Sequence, residues 1–411
     1  MKILHVNSLL QHGGAETVMR QLLRNFPEAS VAISSAKTYP PGVHPLYPRL
    51  LARLYHSRFH ALVERFAPRN QWTDRAFRRL VNYPCDLIHL HNFHGYYATI
   101  DSLAAVARAK PLVWTFHALW GITGGCDHPR DCRRYFEACG ECPQLNKWPL
   151  GPIDNTPQQL AAKKAQLSPL PLHVISPSRW MAQVIRESPV GRRWRVHCIP
   201  NAVDAEFLRI ADARFASRRE TNRLRILLVN RNFGDEQKGF SIAREALREF
   251  AAAAGESPEK RPKLTLAGVR SEWAAGELPE WECEALGYIS EPTALAEIYS
   301  QADLFLFASP AENFPCVVLE AMAAGACVVA TPTGGVVEQI EHGVSGLLAR
   351  DISGPALAEA LARACQNSDE RKALAAAARD RVQREFSEPV FAEQHRELYQ
   401  GILSEWPSDP K

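Results

Sequence analysis

Short aliphatic runs alternate with helical patterns along most of this 411-residue chain, and the alternation constrains the fold more than any other feature. In the first half the runs are KILHV from Lys2, SVAIS at 30–34, DLIHLH at 86–91, PLVWTFH at 111–117 and LHVIS at 172–176. Strands that alternate with helices form parallel sheets, because each parallel connection is long enough to hold a helix. The first half is therefore predicted to be an α/β domain with a parallel sheet.

The same alternation starts again after Ile-Pro-Asn-Ala-Val-Asp at 199–204 and a polar stretch that ends near Arg223. The second series of runs is RILLVN at 225–230, KLTLAG at 263–268, DLFLFAS at 303–309 and CVVAT at 327–331. The chain is also longer than one hydrophobic core usually supports. We predict two doubly wound domains, residues 1–200 and 201–387, whose sheets face each other across a central, ligand-binding cleft.

The end of the chain shows three helical patterns, at about 354–366, at about 370–385 and from about residue 388 onward. Ser387 can cap the last of these helices, and Pro389 suits its first turn. We expect this C-terminal helix, within residues 388–411, to pack back on the first domain.

The composition excludes several classes of protein. Hydrophobic residues make up 46% and charged residues 23%, which is typical of packed globular chains rather than disordered ones. A formal charge of +3 is too small to indicate a nucleic-acid partner. No run approaches the roughly 18 apolar residues of a membrane-spanning helix, and the start MKILHV lacks the apolar region of a signal peptide. We expect a cytoplasmic protein that binds no nucleic acid.

Two glutamates, Glu312 and Glu320, form the strongest chemical motif, in the sequence ENFPCVVLE. Glu312 follows the strand run DLFLFAS, and Glu320 is expected in the opening turn of the next helix, so both are predicted to project into the cleft. Carboxylate oxygens accept charge-assisted hydrogen bonds from the vicinal hydroxyls of a sugar or ribose. The alternative is that Glu320 only complements the helix dipole.

A loop with two cations follows the first strand of the second half, in the sequence NRNFGDEQKG from Asn230. Arg231 and Lys238 flank this loop. A departing diphosphate develops negative charge, and a prearranged arginine and lysine stabilise that charge without a metal ion. Surface salt bridges are the alternative role for these side chains.

Two features of the first half point to the same cleft. His12, Gly13 and Gly14 follow the run KILHV and open a helix, whose N-terminus and amides suit an anion such as a pyrophosphate. A Gly-Gly turn also occurs in doubly wound domains that bind no ligand there. His117 ends the run PLVWTFH, and it is predicted either to hydrogen-bond a ligand hydroxyl or to be a core or acceptor-positioning histidine.

These motifs together resemble the retaining family-four glycosyltransferases, whose signature pairs two glutamates with seven residues between them. The resemblance covers nearly the whole chain and implies the GT-B fold, in which two Rossmann-like domains face a central cleft. It implies transfer of a hexose from a nucleotide-diphosphate sugar to a glycan or lipid-linked oligosaccharide, with retention of configuration. In these terms Glu312 contacts donor-sugar hydroxyls and Glu320 holds the ribose. Arg231 and Lys238 match the cationic pair at the donor diphosphate.

The resemblance also implies further donor-binding residues: Asn230, Tyr288, Ile289, Asn313, Phe314, Pro315, Cys316 and Val317. Tyr288 and Ile289 lie where the family binds the nucleobase, and uracil and guanine both remain open. The sequence Asn-Phe-Pro replaces the family's Gly-Phe-Gly, and Pro315 cannot donate an amide hydrogen. Ala118 stands where members carry an aspartate after the histidine, so that role is absent or filled by Asp127 or Glu137.

Four of the ten cysteines lie in one segment: Cys126, Cys132, Cys139 and Cys142. This segment resembles that of a subset of the family that builds exopolysaccharides of the colanic-acid type. The spacing C-x5-C-x6-C-x2-C can place four thiolates around a zinc ion, which would supply folding energy to a loop with little core. Disulfides and free thiols are the alternatives. Catalysis itself is expected to require no cofactor, so this zinc would be structural.

A basic stretch with interleaved aromatic residues runs from Arg49 to Arg79. Its members are Arg53, Arg58, Arg65, Arg69, Arg75 and Arg78, with Tyr55, Phe59, Phe66, Trp72 and Phe77 between them. This combination suits peripheral docking on an anionic membrane, where a lipid-linked acceptor would reside. A helical hairpin that packs its aromatic side chains inward is the alternative.

Two other functions fit parts of this pattern. A sugar-nucleotide epimerase can share the two-domain fold, but it would convert its donor without an acceptor. A non-catalytic scaffold could use the cysteine loop to bind a partner, and it would show no affinity for nucleoside diphosphates.

Overall fold

A computed structural model of the chain describes residues 1–8, 13–33, 43–46, 69–93, 98–147, 149–216, 223–255 and 261–406. The chain forms two compact units. The first unit consists of Met1–Ile199 and Ala392–Lys411, and the second consists of Pro200–Phe391. Among the helices in the described ranges, none is both long and apolar enough to cross a membrane.

The first unit is built on a seven-stranded, fully parallel sheet. Its strands are β1 (Ile3–Asn7), β2 (Ser30–Ile33), β3 (Val43–Pro45), β4 (Leu87–Leu90), β5 (Leu112–Thr115), β6 (His173–Ser176) and β7 (Arg195–Cys198). Their order is β3-β2-β1-β4-β5-β6-β7, so the direction of winding reverses between β1 and β4. The central strands β1, β4 and β5 are buried along their whole length, which explains their continuous apolar runs.

In the described ranges, five helices connect the strands of the first unit. They are α1 (Gly14–Asn25), α2 (Arg69–Arg78), α3 (Ile100–Ala109), α4 (Thr156–Gln166) and α5 (Arg179–Glu187). Two of them begin at side-chain caps, because Thr99 accepts from the Ser102 amide and Ser178 accepts from the Met181 amide. These caps satisfy amides that have no partner within the helix.

The second unit has a six-stranded parallel sheet with the order β10-β9-β8-β11-β12-β13. Its strands are β8 (Arg225–Asn232), β9 (Lys263–Val269), β10 (Cys283–Ala285), β11 (Leu304–Phe307), β12 (Cys327–Ala330) and β13 (Leu347–Leu348). The winding direction here reverses between β8 and β11. Each unit is therefore a doubly wound α/β fold.

The helices of the second unit pack on both faces of this sheet. They are α6 (Ala205–Ala216), α7 (Phe240–Ala254), α8 (Ser271–Gly276), α9 (Pro292–Gln301), α10 (Cys316–Ala323), α11 (Val336–Gln339), α12 (Gly354–Gln366) and α13 (Ser368–Glu385). The last helix, α14 (Glu388–Glu405), enters the first unit from Ala392 onward. There the Tyr399 hydroxyl is hydrogen-bonded to His89 Nδ1 of β4 at 2.7 Å.

All nine strand runs predicted from the sequence form strands, and the three C-terminal helices are also present. The sequence did not predict β3, β7, β10 and β13, which are the four edge strands of the two sheets. An edge strand pairs on one side only, so it does not need a long apolar run. The strand β7, for example, has the sequence RVHC and is partly exposed throughout.

Most of the predicted membrane-docking stretch lies outside the described residues. Within the described part of α2, Phe77 is fully buried and contacts Phe93 at a ring separation of 6.0 Å. Arg78 donates from Nε to Ser102 Oγ at 2.6 Å. This aromatic side chain therefore faces the core, as in the hairpin alternative, and the membrane contact stays a prediction.

Candidate active site

The predicted donor site of the second unit lies where its strand order reverses. Lys238 follows β8, and Glu312 follows the neighbouring strand β11. The connections leave these two strands in opposite directions, which opens a crevice at their carboxyl ends. Doubly wound sheets bind their ligands at this position.

Lys238 and Glu312 form an ion pair in this crevice, with Nζ 2.6 Å from Oε1. The two side chains keep 34% and 16% of their surface exposed, so the pair is sheltered but open to a ligand. The negative charge of Glu312 raises the pKa of Lys238 above its ordinary value. The charge of Arg231 opposes this pKa shift, which places a second cation nearby. Three of the four residues predicted to carry the chemistry thus lie together.

The loop that carries Lys238 is fixed by contacts to its own strand and to the next one. Asn230 Nδ2 donates to the Lys238 carbonyl at 3.2 Å. Ser309 Oγ donates to the Gln237 carbonyl at 3.1 Å. Gly239 has φ +72, and a Cβ there would overlap the Ala308 carbonyl. The side chain of Asn230, predicted to bind substrate, therefore closes the loop, and Gly239 allows that loop to lie against β11.

Glu320 lies in the second turn of α10, so the prediction that it occupies the opening turn is wrong. Pro315 occupies the N-cap position, so the helix begins at Cys316. Its first turn therefore contains Cys316 and Val317 and does not reach Glu320. Charge–dipole stabilisation fades beyond the first turn, which weakens the helix-dipole explanation for Glu320. Burial raises the pKa of Glu320 to about 7, and the hydroxyl of Tyr299 opposes this shift.

Cys316 links the two predicted carboxylates in space. Burial raises the pKa of its thiol to about 12, with further contributions from the charges of Glu320 and Glu312. Both carboxylates affect the pKa of this thiol, and electrostatic effects weaken with distance, so the thiol lies close to both of them. Glu312 and Glu320 therefore share the region at the start of α10.

The residues between the glutamates are held by their own carbonyls. Asn313 and Phe314 are buried. The Asn313 carbonyl accepts from the Gly335 amide at 2.8 Å, and the Phe314 carbonyl accepts from Asn201 Nδ2 at 2.9 Å. The Pro315 carbonyl accepts from Gln339 Nε2 at 3.0 Å. The amides of Cys316 and Val317 lie in the first helical turn, where backbone donors have no carbonyl partner within the helix.

The predicted nucleobase residues lie beyond the carboxyl ends of β9 and β10. Tyr288 is 50% exposed. The turn before it is fixed because the Gly287 carbonyl accepts from the Gly268 amide at 2.7 Å, and Gly287 itself has φ +68. Val269 and Trp273 are also large exposed apolar side chains near this edge of the sheet. The sequence did not single out Val269 or Trp273 as residues of the site.

In the first unit, Gly13 and Gly14 begin α1 beside the other reversal of strand order. A Cβ at Gly13 would overlap the Glu16 carboxylate, whereas a Cβ at Gly14 would meet open space. Glu16 is buried and accepts from Asn92 Nδ2 at 3.2 Å. Glu16 was not predicted from the sequence, although an acidic residue in the third helical position is a capping signal. His12 lies outside the described residues.

His117 lies at one end of a chain of imidazoles. His117 Nε2 is 3.4 Å from His91 Nδ1, and His91 Nε2 is 3.1 Å from His5 Nδ1. Burial, followed by the neighbouring imidazoles, holds the pKa of His91 well below its ordinary value. Burial likewise lowers the pKa of His5 to about 3. His5 and His91 are therefore neutral at physiological pH, and His117 contacts the neutral His91 through its Nε2.

Two groups of side chains have metal-ligand chemistry. Ring nitrogens of His5, His89 and His91 lie within 4.8 Å of one another. Both nitrogens of His89 are engaged, one with Tyr399 and the other with Thr115 Oγ1 at 2.7 Å, and His91 is engaged at both nitrogens as well. Hydrogen bonding therefore accounts for the ring nitrogens of His89 and His91, whereas His5 Nε2 is buried and has no hydrogen-bond partner among the described residues.

The second group is the predicted cysteine cluster, Cys126, Cys132, Cys139 and Cys142, whose members line one pocket. All four are free thiols, so they form no disulfide with one another. In the ranges that the structure describes, no three of their sulfurs lie within 4.8 Å of each other. Burial raises the pKa of Cys126 to about 12 and also raises those of Cys139 and Cys142.

Comparisons with known proteins agree with this fold. Residues 12–207 match the family described as Glycosyltransferase Family 4, and residues 210–381 match the family described as Glycosyl transferases group 1. A protein of Escherichia coli (strain K12) named as a colanic acid biosynthesis glycosyl transferase, WcaC, is 25% identical over 361 residues, which are 83% of this chain and 85% of WcaC. The amylovoran biosynthesis glycosyltransferase AmsK of Erwinia amylovora is 31% identical over 192 residues, 44% of this chain and 45% of AmsK.

A solved structure shows the same fold. Anabaena Alr3699/HepE, crystallised in complex with UDP and glucose, superposes with a TM-score of 0.64 and 19% identity, over 98% of this chain and 100% of that chain. A chain of two doubly wound α/β units that superposes on this structure has the GT-B architecture. The chain belongs to the family-four glycosyltransferases of the GT-B fold and is a glycosyltransferase.

Replacing Gly14 by alanine tests the predicted anion site at the start of α1. The new Cβ meets open space, and alanine favours a helix over glycine by about 0.5–1 kcal/mol, so we expect thermal stability to be unchanged or slightly raised. We expect weaker binding of UDP and GDP, because the methyl group blocks the approach of a phosphate to the helix amides. Calorimetric titration measures both ligands. Gly151→Ala, where a Cβ also meets open space, is the control, and wild-type affinity in Gly14→Ala would remove this residue from the site.

Proposed function

We propose that this chain is a retaining hexosyltransferase that uses a nucleotide-diphosphate sugar in exopolysaccharide or cell-surface polysaccharide synthesis. The observation that carries the proposal is the Lys238–Glu312 pair at the reversal of strand order, with Arg231 nearby. The names of the two relatives, which refer to colanic acid and amylovoran biosynthesis, support the polymer class. The acceptor is a growing glycan or a lipid-linked saccharide.

The ion pair explains how the donor diphosphate and the donor sugar are bound together. In the free chain Glu312 neutralises Lys238. A diphosphate carries more negative charge than one carboxylate, so it competes with Glu312 for Lys238. It also attracts the exposed Arg231. Glu312 is then free to accept hydrogen bonds from hydroxyls of the sugar. Two side-chain cations stabilise the leaving diphosphate, and this stabilisation needs no metal ion.

We assign the ribose to Glu320 and the nucleobase to Tyr288 and Ile289. Glu320 lies in a desolvated setting, where hydrogen bonds from two vicinal hydroxyls to a carboxylate are strong. The half-exposed ring of Tyr288 can lie against either base, because every base has a π-face. The amides of Cys316 and Val317 serve the phosphates in place of the missing Pro315 donor.

The first unit supplies the acceptor side, with His117 as its candidate residue. Its neighbour His91 is neutral, so His117 is suited to exchange a hydrogen bond with a hydroxyl. Gly14 and the start of α1 add an anion site. The arginine-rich stretch of residues 49–79 is assigned to peripheral contact with the anionic inner face of the membrane, where a lipid-linked acceptor resides.

Removal of the cations is expected to lower turnover. Lys238→Ala and Arg231→Ala each lose stabilisation of the leaving diphosphate, and we expect a fall in kcat of ~10²-fold or more. The assay screens UDP- and GDP-sugars with and without acceptor saccharides, and NMR of the product reports its anomeric configuration.

Lys263→Ala is the matched control for this assay. Lys263 pairs with Glu284 at 2.9 Å at the opposite, amino-terminal end of β9, so we expect unchanged turnover. Near-wild-type turnover in both site variants would refute the cation assignment. An inverted product anomer would refute retention, and conversion of a donor without any acceptor would indicate an epimerase.

The pKa of Glu320 predicts a pH dependence of nucleotide binding. With a pKa near 7 in the free chain, Glu320 is a carboxylate at pH 8 and largely protonated at pH 6. If the carboxylate accepts the ribose hydroxyls, the association constant falls by up to about tenfold for each pH unit below the pKa. Glu320→Gln is expected to bind the nucleotide weakly at pH 8, and its association constant should no longer fall between pH 8 and pH 6 through this group.

The same nucleotide is titrated against wild type and variant at each pH, so the protonation of its phosphates cancels. Glu341→Gln, which changes an exposed carboxylate of the same unit, is the control. Identical pH profiles for wild type and Glu320→Gln would show that Glu320 does not hold the ribose.

The membrane assignment is tested by sedimentation with liposomes. Binding is expected to rise with the fraction of anionic lipid and to fall with added salt, because the contact is electrostatic. A variant with Arg53, Arg58 and Arg65 changed to glutamine is expected to lose this preference. Equal sedimentation with neutral and anionic vesicles would contradict the assignment.

A further inference from the structure

The cysteine cluster of the first unit is not used by the proposed reaction. Its four members come from separate parts of one loop and surround a single pocket, together with Gly124, Tyr135 and Thr156. All four are free thiols. A loop that gathers four soft sulfur ligands around one space matches the ligand set of structural zinc.

Two of the sulfurs lie beside backbone amide groups. The Gly124 amide lowers the pKa of Cys139, and the Gln144 amide lowers the pKa of Cys142. Donors of this kind orient a metal-bound thiolate and offset its charge. A Cβ at Gly124 would also fall 2.9 Å from the Cys139 sulfur, so glycine is needed for the close approach.

The Cys-Gly-Glu-Cys turn is fixed in an unusual backbone conformation. Cys139, Gly140 and Glu141 all have positive φ, at 57, 99 and 44 degrees. Arg134 Nη1 donates to the Gly140 carbonyl at 2.7 Å and to the Glu141 carbonyl at 2.9 Å. The Cys142 amide donates to Asp154 Oδ2 at 3.0 Å. Left-handed non-glycine residues are costly, so the turn depends on contacts that over-determine it.

A buried lysine lies beside this loop. Lys163 is fully buried and donates to the carbonyls of Trp120 at 2.6 Å and Thr123 at 3.0 Å. Its Nζ also lies 3.4 Å from the centre of the Trp120 ring. Burial lowers the pKa of Lys163 to about 7, and the charges of Cys126, Asp127 and Cys139 raise it. Four thiolates around Zn²⁺ have a net charge of −2, which favours the protonated form of Lys163 and is partly offset by it.

We propose that Cys126, Cys132, Cys139 and Cys142 bind one structural Zn²⁺ ion, with Lys163 as the charge-compensating neighbour. Each thiol releases its proton to solvent when the ion binds. Zn–S bonds of about 2.3 Å require sulfur separations of about 4 Å, so the side chains move inward into the pocket they line. The ion holds the loop that follows His117 in place. This structural role is separate from the proposed transfer reaction.

The first test is the metal content of the full chain, purified under reducing conditions without chelators. We expect one zinc ion per chain by elemental analysis. Replacement by Co²⁺ is expected to give the visible bands of a tetrahedral site and the intense thiolate-to-cobalt absorption of sulfur ligands. Substoichiometric zinc that does not rise when Zn²⁺ is offered to the reduced protein would overturn the proposal, as would a disulfide among these cysteines found by mass spectrometry.

Variants then assign the ligands. Cys132→Ser and Cys142→Ser are expected to lose the ion or bind it far more weakly, whereas Cys198→Ser changes an exposed cysteine and should keep it. Lys163→Met is expected to weaken zinc binding by about 10–100-fold, as observed for other neighbours of metal ligands. Lys372→Met, which changes an exposed lysine of the second unit, is its control. Full zinc retention in both serine variants would overturn the ligand assignment, and the cobalt spectrum of the wild type decides the question if they do not fold.

Discussion

The pairing of Lys238 with Glu312 depends on a constraint of parallel sheets rather than on local sequence. Two neighbouring parallel strands can have connections that leave in opposite directions. Neither connection then covers the carboxyl ends of the pair, so a crevice remains there. In the second unit this crevice lies between β8 and β11, and the loops that leave it carry the cation and the carboxylate. The first unit has the same reversal between β1 and β4, where α1 begins.

Charge and burial divide the site into groups with different roles. Lys238 and Glu312 are partly exposed and neutralise each other. A charged ligand can therefore replace one member of the pair at a modest cost in free energy. Glu320 is desolvated and has a pKa near 7, so its carboxylate gains most from a ligand that donates hydrogen bonds. The intervening residues are tied through their carbonyls to Asn201, Gly335 and Gln339, which keeps the two glutamates in a fixed relation.

The sequence predicted the interior of this molecule better than its edges. Strands buried on both faces need continuous apolar runs, and all of these were recognised, whereas the four edge strands have no such requirement. Lys238 and Glu312 were recognised as site residues, but their ion pair joins positions 74 residues apart and depends on sheet order. The imidazole chain was missed for the same reason, because His5 and His91 meet only through the pairing of β1 with β4. Glu320 was placed one turn too early because Pro315 stays outside the helix.

The return of α14 to the first unit has a consequence for biosynthesis. His89 lies in a central strand, yet its hydroxyl partner Tyr399 follows it by 310 residues. At a translation rate of roughly 5–20 residues per second, the ribosome needs tens of seconds to supply that partner. The whole second unit is made in the interval. The first unit therefore keeps an incomplete polar core until α14 has been synthesised.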